Sequence, residues 1–259
     1  MYNFNKIAVT TSQEKAHLIE TAQEISSEIK VNYIPRNKLT INKLKEKNNL
    51  KHLIVVREDK ITVDNNFFFH PGMAVARIKM LKSGQDDPMI NAMALKPGSR
   101  VLDCTVGLAT DSIVASFVAG EEGEIVGIES SPIIYIVTKL GLKSYTQGSK
   151  DCRRAMERIN IYHNNYEEFL QKQGSETFDV VYFDPMFDTP CLKSSGIEGL
   201  RTFANYKKLL PDSLEKALKI ARDRVVIKDR KDSGNFQRLK VDEISGGKYS
   251  SINYGIIYK

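Results

Sequence analysis

The chain has 259 residues, 41% hydrophobic and 27% charged, which excludes a collagen-like, mucin-like or wholly disordered protein. That length suits one large domain, or a medium domain with a small appendage. Its 38 basic and 32 acidic side chains leave a formal charge of +6, compatible with RNA or DNA but equally with many enzymes of small substrates.

From the N-terminus, KIAVT (6–10) reads as a strand. Ser12 is placed to cap a following helix that carries Ala16, Ile19, Ala22, Ile25 and Ile29. VNYI (31–34) reads as a second strand closed by Pro35, and TINKLKEK (40–47) as a polar helix. HLIVV (52–56) is a buried strand that pairs with ITV (61–63) through the turn Glu58-Asp59-Lys60. Residues 1–66 are thus expected to form a small α/β N-terminal subdomain, and residues 67–259 the main domain. FFFHPGMAVARIKMLKSG (67–84) turns at Pro71-Gly72 into a basic helix. Beyond Lys96 the pattern sharpens. RVLDCTV (100–106), EIVGIES (124–130), INIYHNN (159–165), DVVYFDP (179–185) and DRVVIKD (223–229) read as buried strands. Helices follow Gly107 and Pro132, a further one lies between 197 and 222, and YSSINYGIIYK (249–259) resembles a terminal edge strand. Strands alternating with helices predict an α/β fold with an open, mostly parallel sheet covered on both faces. Ligands of such sheets bind beyond the carboxyl ends of the strands, at the switch point.

Three strand ends carry chemistry. The first runs Asp103-Cys104-Thr105-Val106-Gly107-Leu108-Ala109-Thr110-Asp111. Gly107 permits close backbone approach, and the next helix offers free N–H groups. The dinucleotide fingerprint G-x-G-x-x-G is absent, which disfavours nicotinamide or flavin. An acid at the strand end, Asp103, suits a ligand bearing an ammonium group and hydroxyls but no phosphates, such as S-adenosylmethionine; the plain alternative is a structural strand–helix turn. Glu129 ends the second strand, where a carboxylate can accept both hydroxyls of a ribose, or can simply precede the Ser131-Pro132 helix start. The third end, Asp184-Pro185-Met186-Phe187, is close to the D/N-P-P-Y/F arrangement that methylates exocyclic amines. The lone pair of such an amine is delocalised into its ring. Asp184 and the Pro185 carbonyl can accept its two N–H groups, and Phe187 can stack on the base. A proline-terminated strand is the bland alternative.

Weaker features surround these. Asn164, Asn165 and Tyr166 follow a strand where an adenine edge would lie, although an asparagine turn accounts for them equally well. His70, Arg77 and Lys79 beside Phe67, Phe68 and Phe69 mix basic and aromatic groups as single-stranded nucleic-acid surfaces do; a core flanked by a solvated face is the alternative. Lys228 and Arg230 end a later strand on the same rim, where phosphate could meet them. His17, His52, His70 and His163 lack metal-ligand spacing, and no Ser–His–Asp order appears, so no metal site is expected. No stretch approaches the ~18–20 apolar residues of a membrane-spanning helix. The start has no apolar region with a cleavage site, and Cys104, Cys152 and Cys191 form no CxxC pair. A cytoplasmic protein with reduced thiols is expected.

In these motifs the sequence resembles the class I S-adenosylmethionine-dependent methyltransferases. More narrowly, it is similar to the bacterial small-subunit ribosomal RNA guanine-N2 methyltransferase J family. From His70 to Lys231, VLDCTVGLATDS, GIESSP, DPMF and RVVIK occur in that family's order, and GMAVAR (72–77) matches a segment preceding the glycine loop. The resemblance implies a Rossmann-like fold and S-adenosylmethionine contacts at Thr110, Asp111, Glu129, Ser130, Asn165, Tyr166 and Asp184. The loop itself adds Asp103, Thr105 and Gly107. Catalytic roles fall on Asp184, Pro185 and Phe187, and substrate contacts on His70, Arg77, Lys79 and Lys228. The resemblance also implies transfer to a guanine amine of ribosomal RNA or the small ribosomal subunit. Two alternatives are a methyltransferase of a small molecule or protein, and a silent cofactor-binding module in ribosome assembly. After DPMF the family continues with Pro-His and basic residues, whereas this chain has Asp188-Thr189-Pro190-Cys191.

Overall fold

The chain folds around two sheets in the computed structural model, which describes residues 6–186, 195–247 and 250–259, the backbone alone for 195–198. The first sheet is built from β1 (Ile7–Thr11), α1 (Ala16–Ile29), β2 (Asn32–Tyr33), α2 (Ile41–Lys47), β3 (His52–Val56), β4 (Ile61–Val63) and β5 (Phe67–Phe68), in the order β2-β1-β3-β4-β5. All five residues of β1 are buried, as expected of a strand with parallel neighbours on both sides and cover on both faces. Those neighbours are β2 and β3, while β4 runs antiparallel to β3 and β5. α1 buries Leu18, Ala22, Ile25 and Ile29, a 4-3-4 spacing that keeps one face inward. Ser12 does not cap this helix. Its N–H bonds the Val56 carbonyl at 2.8 Å, which extends the β1–β3 ladder and delays the helix until Lys15, a cap without a side-chain bond.

The second sheet follows α3 (Gly72–Lys82) and α4 (Pro88–Met93). Its elements are β6 (Arg100–Asp103), α5 (Thr110–Ala119), β7 (Glu124–Glu129), α6 (Pro132–Ser144), α7 (Lys150–Glu157) and β8 (Ile159–His163). They continue with α8 (Tyr166–Gln171), β9 (Phe178–Phe183), α9 (Ser195–Phe203), α10 (Pro211–Ile220), β10 (Ala221–Arg230), α11 (Asn235–Arg238), β11 (Glu243–Gly246) and β12 (Ile252–Tyr258). The strand order is β11-β12-β10-β9-β6-β7-β8. From β8 across to β10 every pairing is parallel, and β12 runs antiparallel to β10 and β11. The chain builds outward from β6 to β8, then crosses back to place β9 on the other side of β6. That reversal leaves a crevice beyond the carboxyl ends of β6 and β9.

Two expectations change here. The C-terminal strand is internal, because β11 takes the edge beyond it. β12 buries Tyr254 to Ile257 while β11 is mostly exposed, and a short polar strand is the safer edge. The segment 197–222 holds two helices, because extended Leu210 and Pro211 start a new one.

Alternation along β9 divides the core. Val180 and Tyr182 face the layer of α3 to α7, whereas Val181 and Phe183 face α8 and α10. The first of these layers continues into the N-terminal sheet, joining Ile7, Val9, Leu18, Ile25 and Val63 to Ile133 and Ile136. Phe203 from α9 packs its ring 4.8 Å from His52 and 5.3 Å from Phe67. Among the described residues no helix is long and apolar enough to cross a membrane, and no group of His, Cys, Asp or Glu side chains could hold a metal ion.

Candidate active site

The turn after β6 is fixed by its own side chains. Asp103 accepts from the Thr105 N–H at 3.0 Å and from the Ser112 hydroxyl at 2.6 Å. Gly107 has φ +52°, a conformation that costs a residue with Cβ far more. Its N–H points across to Glu129 Oε2 at 3.2 Å, and its carbonyl accepts from Thr138 at 2.7 Å. Glu129 also accepts from the Ser131 N–H at 2.7 Å through Oε1. Burial pushes both Asp103 and Glu129 up to about 7, against the donors that favour their charged forms.

A narrow cavity of about 60 Å³ lies in the crevice, lined by Cys104, Thr105, Gly107, Glu129, Ser130, Tyr166, Phe183, Asp184, Pro185 and Met186. Leu200, Ala204, Asn205, Lys207 and Leu209, from α9 and the strap after it, cover it. Ser130, Ala204 and Asn205 also line a larger cleft of about 1280 Å³ toward the N-terminal sheet, bordered by His52, His163, Asn164 and Asn165. Asn205 donates to Ser130 Oγ at 3.4 Å and Lys207 to Glu167 at 2.6 Å, so the strap is tied to both strand ends. Asn165 caps α8 through the Glu167 N–H at 2.7 Å, and Asn164 accepts from the Asn165 N–H at 2.8 Å. Tyr166 sets its ring edge against Phe183, 5.5 Å away.

Asp184 follows β9 directly, its N–H bonded to Thr105 Oγ1 at 2.6 Å. One carboxylate oxygen, Oδ2, accepts from Lys228 Nζ at 2.8 Å. Lys228 also donates to Asp111 Oδ2 at 2.8 Å, where the Tyr182 hydroxyl donates at 2.7 Å. Arg77 reaches Asp111 Oδ1 and grips Asp87 through two bonds of 2.7 and 2.8 Å. Desolvation opposes every charge in this cluster. The two cations nevertheless hold Asp111 well below the usual carboxylate range, and the carboxylates hold Arg77 and Lys228 above theirs. For Asp184, burial pushes the carboxyl up, with Asp111 adding to the push and Lys228 pulling against it.

Thr105, Gly107, Glu129, Ser130, Tyr166, Asp184 and Pro185 therefore meet around one cavity, with Asn165 beside it in the cleft. Asp103, Thr110 and Asp111 are not among the cavity's lining residues; Thr110 opens α5, and the other two are buried in bonds to the protein. Arg77, expected to contact substrate, and Lys228, expected to meet phosphate, spend their charges on Asp87, Asp111 and Asp184. His70 and Lys79 are exposed; His70 accepts from the Gly72 N–H at 3.2 Å. Phe187 lies outside the described residues. Sequence reasoning missed Asp87, although Asp-Pro at a helix start was a readable capping signal; its side chain caps α4. Nothing in the sequence marked Asn205 or Lys207.

The residues present fit S-adenosylmethionine. An ionised carboxylate offers about four lone-pair sites; at Glu129 the Gly107 and Ser131 N–H groups bond one oxygen each, which leaves acceptor capacity that a ribose hydroxyl could use. The cavity at Asp184 and Glu129 and the cleft at Asn164 and Asn165 share Ser130, Ala204 and Asn205 in their walls.

Comparison with known proteins agrees. A family model described as "Putative SAM-dependent methyltransferase" matches residues 24–251. An uncharacterized protein of Bacillus subtilis, YpiP, is 35% identical over 96% of this chain and 98% of its own length. Ribosomal RNA small subunit methyltransferase J of Coxiella burnetii is 30% identical over 68% of this chain and 69% of that protein; its counterpart in Desulfotalea psychrophila is 28% identical over 59% of each chain. The fold matches a SAM-dependent methyltransferase of Neisseria gonorrhoeae at a TM-score of 0.64, with 15% identity, over 97% of this chain and 95% of that one. With that family model spanning most of its length and its motifs and fold in accord, the chain belongs to the S-adenosylmethionine-dependent methyltransferase family.

Proposed function

We propose that this methyltransferase acts on an exocyclic amine, that of a guanine in ribosomal RNA, and does so in the cytoplasm. The observation that carries the reading is the position of Asp184. It ends the central strand β9, lines the cofactor cavity, is 27% exposed, and has one oxygen tied to Lys228. Among the described residues no hydrogen bond reaches the other oxygen, Oδ1, which is left to receive an amine. Bound S-adenosylmethionine supplies an electrophilic methyl group on its sulfonium sulfur. Asp184 Oδ1 and the Pro185 carbonyl accept the two N–H groups of the acceptor and turn its lone pair toward that methyl. On accepting that methyl group the amine nitrogen would shed one proton, and the Asp184 carboxylate would be the group to take it. Positioning of this kind accounts for much of the rate in such displacements. The ribosomal RNA part of the reading draws support from the similarity to methyltransferase J proteins and from the net charge of +6.

The test uses small ribosomal subunits from a strain lacking the gene, incubated with the protein and labelled S-adenosylmethionine. N2-methylguanosine in the digested RNA is the expected product. The Asp184→Ala variant should lose about 100-fold or more in rate. Label in protein or small molecules but not in RNA would replace the substrate assignment. A fully active Asp184→Ala would remove the amine-binding role.

A further inference from the structure

We infer that Lys228 is a positioning residue for methyl transfer: clamped by Asp111, it holds Asp184 by Oδ2 so that Oδ1 is left for the acceptor amine. This rests on the reading of Asp184 as the amine-binding group. Lys228 sits on β10, the strand beside β9, and its side chain is only 20% exposed. Both of its hydrogen-bond partners are carboxylates at 2.8 Å. A phosphate arriving there would have to displace one of them, so an RNA-gripping role is disfavoured by geometry alone.

The charge balance of the cluster gives the inference its sign. Arg77 is committed to Asp87 and Asp111. Lys228 is therefore one cation divided between two carboxylates, Asp111 and Asp184. Whatever frees Lys228 from Asp111 strengthens its hold on Asp184, and whatever removes Lys228 leaves a buried and a partly buried carboxylate without the cation between them. The other groups around Asp184 do not offset this. Asp103 from β6, Asp229 from β10 and the phenols of Tyr182 and Tyr254 contribute negative or neutral neighbours, and Arg77 acts at one remove through Asp111. An opposite charge within hydrogen-bond reach lowers a carboxyl pKa by about 1–3 units, and a like charge raises it.

Lys228→Met and Asp111→Asn should consequently move the Asp184 titration in opposite directions. The measurement is a carbon-detected NMR titration of the Asp184 carboxyl in the full chain, assigned with Asp184→Asn. Beside it runs the pH profile of kcat on small subunits from the deletion strain. Lys228→Met should carry the carboxyl titration and the acid limb upward by about 1–3 pH units. Asp111→Asn should carry both downward. Lys228→Arg should keep the limb near its original place with a lower kcat, because charge is retained while geometry changes. S-adenosylhomocysteine affinity should stay within about twofold in all three, since neither residue lines the cavity. A purely structural ion pair would lower the melting temperature and could move the carboxyl titration, but would leave the acid limb of kcat where it stands. Superimposable titrations, or shifts of the same sign, would overturn the inference. If Lys228→Met does not fold, the isosteric Asp111→Asn decides alone, a downward shift supporting the positioning role and an unchanged titration removing it. An inactive Asp184→Ala beside unmoved Lys228 and Asp111 variants rejects only this step. An active Asp184→Ala rejects the amine-binding reading beneath it.

Discussion

Glu129 is 7% exposed, and burial pushes its carboxyl up to about 7 although Ser131, Gly107 and Ser130 all favour the charged form. In the ligand-free protein this raised value means that its contribution to stability is present below about 4.5 and is lost as pH rises through about 7. If the ribose binds at Glu129, its hydroxyls would donate to the ionised carboxylate, and cofactor binding would draw the proton off. Affinity for S-adenosylhomocysteine, followed by calorimetry, should therefore climb several-fold between about pH 6 and pH 8. In Glu129→Gln it should be weaker by ~1–3 kcal/mol and flat with pH. Asp103, also near 7, lies outside the cavity lining, and its titration affects stability in both proteins alike. A wild-type affinity as flat as the variant's would assign the ribose to another residue. Asp103, Glu129 and Asp184 were legible in the sequence because each ends an apolar strand, and topology directs ligands to such ends. The partners of Arg77 and Lys228 were not. Asp111 lies 34 residues from one and 117 from the other, so only the folded sheet shows that these cations answer carboxylates rather than phosphate.

At the scale of elements, α6 is held against the junction between the sheets by the absence of a side chain at Gly141. A Cβ there would come within 2.1 to 2.5 Å of the Phe69 ring, which is itself buried. Helix propensity alone predicts that Gly141→Ala stabilises the protein by ~1 kcal/mol. Overpacking a filled core costs ~1–3 kcal/mol, and with backbone on one side and a buried ring on the other, packing should win. The melting temperature of Gly141→Ala is expected to fall by several degrees, and a rise would show that Phe69 has room to move. The same logic explains which elements could be read in advance. β1, β3, β6, β7, β9 and β10 are buried in parallel pairs and therefore appear as continuous apolar runs. β11, with the sequence EISG over Glu243–Gly246, carries no such run. Its strand character comes from β12 beside it, and without β11 the C-terminal strand looks like an edge.

Across the whole molecule, the apolar layer that packs α3 to α7 on the second sheet runs on without interruption through α1, β1 and β3 of the first. Polar ties cross the same boundary. Tyr135 on α6 donates to Glu28 on α1 at 2.6 Å, Lys139 pairs with the same carboxylate, and Phe203 packs against His52 and Phe67. Two units sharing one core should not melt separately, because opening either strips apolar surface from the other at ~25 cal/mol per Å². Calorimetry is expected to give a single transition with equal calorimetric and van't Hoff enthalpies. S-adenosylhomocysteine at about 100 times its Kd should stabilise the native state by ~2.7 kcal/mol and lift that transition by ~5–10 °C. Because its cleft is bordered by His52 on one side and Asn164 on the other, the ligand should lift the protection of β3 and β8 together in hydrogen exchange. Two resolved transitions, with only the later one moved by ligand, would make residues 1–66 an independent unit and leave the cofactor site to the second sheet alone.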